Sequence, residues 1–385
     1  MKKIIIFSLI LAIVFCKTML LDTQYPYPSQ NLITFKLDDS FKTNATLNQI
    51  GKLQMQMNLY SAETYFTSPD CVNCQIYGTK NSKPFICNKE EYCTEYYSID
   101  GSVDQYFKAR GSIIDMNLVL DSTEFYLSQG MYVKWISQLQ LNQTYQYQGI
   151  GLVLTRSVQC TFLRSLYNQA KIDNYSYSFY YAVDSYNLII GGYNQSLLAQ
   201  EFYNLKSVSI MRNIPYKIID DMVLADLYFN KQIIQKDAQI VLDPTIDGIV
   251  LPTKLSYDIQ NILLTQRNLP DISQFTPEQP GIWSSLKTAP SFQIQFQLDD
   301  PDAISQYLQV NFDAQTLNAK NQKGQFTPRI SFVQILDQNN QYYNVTRVGK
   351  ILFQQMMYYK YIQDGGQSIA TEFRGLAPII KIQKQ

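Results

Sequence analysis

Apolar and polar residues alternate in short runs along much of this chain. In residues 53–59 the apolar side chains Leu53, Met55, Met57 and Leu59 fall on one face, and in 291–296 Phe292, Ile294 and Phe296 do the same. Successive side chains of a strand point to opposite faces, so period two predicts half-buried antiparallel strands. Helical spacing is rarer. It appears over 160–170, where Phe162, Leu163, Leu166 and Tyr167 share a side, and over 254–264, opened by Pro252-Thr253 and carrying Ile259, Ile262 and Leu263. Thirty Tyr and twenty Phe strengthen the preference for strands. The expected class is all-β with a few short helices. Residues 269–285, with Pro270, Pro277, Pro280 and Gly281, read as a surface loop, as do 299–303, and the polar tract 315–324 reads as exposed. No internal repeat emerges as a fixed period.

The longest apolar run, residues 4–15, follows Lys2 and Lys3 and is too short to span a bilayer. A charged start and a short apolar core make a secretory signal peptide, expected to occupy residues 1–16. The working protein is therefore expected outside the cell, or in the lumen of a secretory or lysosome-like compartment, without a membrane anchor. The chain exceeds the roughly 250–300 residues at which a single core stops growing, so two lobes are expected, 17–210 and 211–385. The 32 basic and 32 acidic residues cancel, which argues against nucleic acid or an anionic membrane as partner.

Export changes the meaning of two motifs. Asn44, Asn142, Asn174, Asn194 and Asn344 each begin Asn-x-Ser/Thr, making them candidate glycan sites. Cys71, Cys74, Cys87 and Cys93 cluster and read as two local disulfides; of three possible pairings, neighbours (71 with 74, 87 with 93) are favoured. Irregular spacing argues against zinc, and Cys160 is left as a buried free thiol. The sequence has no histidine, which largely removes the hydrolases that need imidazole as base and the usual catalytic zinc sites. Neither metal nor cofactor is expected, and carboxylates, Tyr or Lys must carry any acid–base chemistry.

Three segments, Gln146-Tyr-Gln-Gly-Ile-Gly-Leu, Leu166-Tyr-Asn-Gln-Ala-Lys-Ile, and Tyr177-Ser-Phe-Tyr-Tyr followed by Leu188-Ile-Ile-Gly-Gly-Tyr-Asn, occur in an order that resembles the first lobe of pepsin-like aspartic proteases. Gln239-Ile-Val-Leu-Asp-Pro-Thr-Ile-Asp-Gly-Ile-Val-Leu-Pro is similar to that family's second active-site strand and turn. Fainter echoes are Asp100-Gly101-Ser102 at the flap hairpin, the paired cysteines, and Phe373-Arg-Gly-Leu-Ala near the end. The resemblance covers roughly residues 45 to 378. It implies a bilobal double β-barrel, with an interlobe cleft for an extended peptide and one catalytic Asp from each lobe.

Such enzymes need two carboxylates sharing a proton, one acting as base toward a water and the other polarising the carbonyl. Tyr60 stands where the first Asp belongs, and a phenol with a reference pKa of about 10 is a poor base at acid or neutral pH. Ala62 replaces the glycine of that turn. Asp243 survives as the second Asp, but Pro244 removes a backbone donor and argues against the usual hydrogen-bonded crossing of the two loops. Tyr97 and Ser98 straddle the flap tyrosine position, out of step with Asp100 and Gly101. The expectation is a secreted, monomeric, catalytically inactive homologue that binds a peptide, protein or glycan. The alternative is a working acid endopeptidase that pairs Asp243 with a displaced Glu63 or Asp70.

Overall fold

A computed structural model describes residues 31–47, 52–59, 64–72, 96–102, 105–120, 123–139, 149–152, 154, 161–208, 222–266, 281–299, 305–333, 345–362 and 372–380; at 52–53, 65–72, 96–102, 105–117, 123–139 and 333 only the backbone is described. The described chain is mostly strand, as the alternation predicts. Lys52–Asn58 is one strand, with Met55 and Met57 buried and Gln54, Gln56 and Asn58 half-exposed. Phe292–Gln297 is another, burying Phe292, Ile294 and Phe296. The two helical readings correspond to Phe162–Asn168 and Lys254–Thr265. The Thr161 hydroxyl caps the first by accepting from Arg164 N.

Two large sheets repeat one strand pattern. In a seven-stranded sheet the hairpin Lys42–Leu47/Lys52–Asn58 is followed by Thr64–Val72, and Gly149–Gly151 lies between the last two, parallel to Lys52–Asn58 and antiparallel to Thr64–Val72. Thr64–Val72 then runs parallel to Thr123–Leu139. In the eight-stranded sheet the hairpin Met222–Phe229/Gln232–Leu242 is followed by Ile249–Pro252, and Thr346–Val348 enters between the last two with the same directions. Ile249–Pro252 runs parallel to Ile330–Val333. In both copies a strand distant in sequence is threaded between two consecutive strands that lie close in the chain, the first ending at Asn58 and the next starting at Thr64 in one copy, and at Leu242 and Ile249 in the other. Sequence periodicity misses this duplication because the copies share pairing geometry rather than residues.

A third sheet has six strands in the order Ile33–Leu37, Ser185–Ile190, Ser176–Ala182, Met356–Ile362, Glu372–Pro378, Tyr203–Asn204. It draws strands from both sides of residue 210, while the expected lobe boundary falls in 209–221, outside the described residues. One face meets the main core, where the Phe179 ring lies 5.1 Å from Phe41, 4.7 Å from Phe353 and 5.3 Å from Tyr358. The opposite face carries a smaller apolar cluster of Tyr180, Ile189, Tyr193, Met357, Tyr359 and Phe373. The Ser176–Ala182/Ser185–Ile190 hairpin turns through Val183 and Asp184, both at positive φ (52° and 64°), a conformation that suits Asn-Gly better than a β-branched residue.

Two surface expectations need correction. The tract 315–324 is not wholly exposed: Ala314–Leu317 is a helical turn, Asn318–Lys320 pairs with Phe326–Pro328, and Leu317 and Asn318 are buried. Asn318 tolerates burial because its amide donates to Pro290 O and Ala314 O. At the end of the 269–285 segment Trp283 is fully buried and exchanges backbone hydrogen bonds with Phe326. Residues 267–280 and 300–304 lie outside the described part. Among the described residues no helix is long and apolar enough to cross a membrane.

Candidate functional site

The inward alternation of Ala238, Ile240 and Leu242 brings the second short loop to Asp243, whose backbone N–H donates to Val348 O at 2.8 Å. The strand register sets the counterpart of Asp243 at Asn58, two positions before the expected Tyr60: Met57 pairs with Ile150 and Tyr65 with Gly149, as Leu242 pairs with Val348 and Val250 with Arg347. Tyr60 itself, with 61–63, lies outside the described residues. The loop 243–248 is clasped by the segment that follows the threaded strand. Lys350 N donates to Ile246 O, Ile351 N to Asp247 O, and Gly349 N to Gly248 O. This approach requires missing side chains: a Cβ on Gly349 would sit 2.0 Å from Ile246 O, and one on Gly248 2.0 Å from Arg329 O.

Asp243 is only 2% exposed. Its Oδ1 accepts from Thr245 N at 2.9 Å and from the Thr245 hydroxyl at 2.6 Å, closing a local turn. Its Oδ2 accepts from Arg347 Nε at 3.0 Å and from Arg347 Nη2. A carboxylate has about four acceptor positions, and four donors occupy them here. Pro244 fits the buried start of this turn, since its missing N–H leaves no donor to satisfy.

Arg347 escaped the sequence reading, and its signal is faint. It sits between buried Thr346 and Val348, so alternation turns it to the opposite face, toward the loop. Only the fold reveals that an aspartate 104 residues away meets it there.

Next to this pair a second charged group joins segments from both ends of the chain. Lys350, 15% exposed at its side chain, places Nζ 2.9 Å from Asp247 Oδ1 and 3.5 Å from Asp39 Oδ2. The same ammonium lies 5.1 Å from the Tyr181 ring centre, and the Tyr181 hydroxyl donates to Asp39 Oδ1 at 2.6 Å. Arg329 Nε stands 3.7 Å from Asp247 Oδ2. Burial, then the bond to Asp39, pushes the Tyr181 hydroxyl well above its ordinary range. Burial does the same to Tyr186, and the nearby Asp243 charge adds to it.

The other sequence candidates are placed only in part. Tyr97, Asp100 and Gly101 lie on Tyr96–Ser102, which forms a hairpin with Gln105–Leu120 closed by Ser102 opposite Gln105. Asp70 and Cys71 lie on Thr64–Val72, described there as backbone. Asn44 and Asn194 are exposed and Asn174 is half-buried. Glu63, Ala62, Cys74, Cys87, Cys93, Cys160, Asn142, Asn344 and the expected signal peptide are outside the described residues. Among those described, no cluster of three or more Asp, Glu, Cys or His residues could hold a metal ion. No protein-family profile and no curated protein matches the chain.

Proposed function

We propose that this chain is an exported, pepsin-like bilobal scaffold that no longer cleaves peptides and uses the cleft between its lobes to bind an extended peptide or protein segment, or a glycan. Three features support the fold. Two sheets repeat the same threaded-strand pattern, one six-stranded sheet is shared by both parts of the chain, and a hairpin stands at 96–120, where the resemblance expects a flap. The absence of catalysis rests on one observation above all, the filled acceptor shell of Asp243.

A catalytic aspartate of this type must accept a proton from a water and share one with a second carboxylate. Asp243 has both oxygens committed to Thr245 and Arg347, and neither Asn58, which the strand register matches to it, nor Tyr60, which the resemblance does, is a carboxylate. Binding by an intact cleft asks for none of that chemistry. It needs exposed backbone edges and side-chain pockets along an extended ligand.

Incubation of the purified secreted protein with denatured haemoglobin, from acid to neutral pH, tests the proposal. The expected result is no cleavage that pepstatin suppresses. Pepstatin-sensitive cleavage overturns it and returns the chain to the working endopeptidases, with Glu63 or Asp70 as the second carboxylate. Cleavage that survives Asp243→Ala overturns the family mechanism as well.

A further inference from the structure

The cleft reading leaves the Asn-x-Ser/Thr motifs unused, and the three with a described asparagine differ. Asn44 is exposed on the strand Lys42–Leu47. Asn174 is half-buried, its carbonyl accepts from Ser176 N, and Ser176 is fully buried at the start of a sheet strand. Asn194 and Ser196 are both exposed. The Asn194 Oδ1 accepts Ser196 N–H at 3.1 Å and the Ser196 hydroxyl at 2.7 Å. The motif's own hydroxyl thus holds the carboxamide by its oxygen, so the amide nitrogen occupies the other side of the group.

Asn194 also borders an apolar ledge. The preceding residue, Tyr193, packs edge-on against Phe202 at 4.9 Å and Tyr359 at 5.2 Å in the cluster on the outer face of the six-stranded sheet. Half-buried Leu197, Leu198, Phe202, Tyr361 and Ile379 rim that cluster, and Ile380 beside them is 51% exposed. Apolar surface of this kind invites association unless something covers it. A sugar ring suits the task, because its C–H face can lie on aromatic side chains while its hydroxyls remain in water.

We propose that Asn194 carries an N-linked glycan whose first sugars lie along this ledge. The inference rests on the export reading, since only a chain entering the secretory lumen meets the enzyme that adds the glycan. In that step Asn194 Nδ2 loses one proton and forms a C–N bond to the anomeric carbon of an oligosaccharide carried on a lipid diphosphate. The anomeric C–O bond breaks, and the lipid diphosphate leaves with the electron pair and takes up the proton. No oxidation state changes.

The full chain expressed in a secretory eukaryotic host supplies the test, by peptide mass mapping before and after enzymatic removal of N-glycans. The expected result is a glycan on the Asn194 peptide of the wild type and of Ser196→Thr, lost in Ser196→Ala, which keeps the asparagine. Loss should bring about a twofold rise in fluorescence of a dye that reports exposed apolar surface, and a tendency to self-associate. An unmodified Asn194 beside a modified Asn44 overturns the site while leaving export intact. A modified Asn194 whose loss changes neither dye binding nor association overturns the covering role. If no Asn-x-Ser/Thr motif is modified and residues 1–16 remain attached, the export reading fails and takes this proposal with it.

Discussion

Arg347 donates Nε–H and Nη2–H to the same oxygen of Asp243, while Thr245 fills the other oxygen. Removing the acid takes this carboxylate from a half-buried guanidinium and opens the local turn. Breaking a buried pair costs roughly 3–5 kcal/mol, and because Arg347 is 34% exposed, Asp243→Ala should cost less, about 2–3 kcal/mol. Asp243→Asn keeps an acceptor for Thr245 and should cost about half as much. Urea denaturation gives both values. Equal costs would mean that the charge contributes nothing.

The clasp around residues 243–248 makes a sharper prediction. Gly349→Ala puts a methyl group 2.0 Å from Ile246 O, a backbone atom that cannot rotate away. The loss should exceed about 3 kcal/mol, beyond ordinary overpacking, and reduce the yield of folded protein. A thermal midpoint close to wild type would refute the close crossing.

Alkaline pH should unfold the protein through its buried tyrosines. Tyr181, Tyr186 and Tyr359 all have hydroxyls held above the ordinary value of 10.0, chiefly by burial. A group whose folded value is raised contributes stability that is fully present below pH 10 and lost as pH rises above it toward the folded value. The urea midpoint should therefore hold to about pH 9.5 and then fall, and the fall should be shallower in Tyr186→Phe. A midpoint rising above pH 10 would reverse the sign.

Val183 and Asp184 take left-handed backbone angles that an Asn-Gly pair adopts more readily. The double change Val183→Asn, Asp184→Gly should stabilise by about 1 kcal/mol, raising the thermal midpoint by roughly 1 °C in scanning calorimetry. Destabilisation would mean that the exposed Val183 packs against something important.

What the sequence made legible was local. The alternation at Met55 and Met57, the runs around Phe292 and Phe296, and the helix with Ile259 and Ile262 all depend on neighbours within a few positions. Asp243 could be found because its apolar approach strand, Ile240 to Leu242, surrounds it in sequence. Arg347 and Lys350 could not, since each acquires its role from a partner brought close by the threaded strand: Lys350 meets Asp39, Asp247 and Tyr181, three residues far apart in the chain. Leu317 was hidden for a related reason. A single apolar residue in a polar tract carries no period, and only its packing reveals that it is core.

The six-stranded sheet carries a consequence for how the protein is made. Ile33–Leu37 and Ser176–Ala182 are among the earlier strands to leave the ribosome, yet Ser176–Ala182 awaits Met356–Ile362, and that strand awaits Glu372–Pro378. Until residues 372–378 are synthesised, the nascent chain must hold an open strand edge, and such edges invite mispairing. Premature termination anywhere before residue 356 should thus leave an aggregation-prone fragment rather than a smaller working domain.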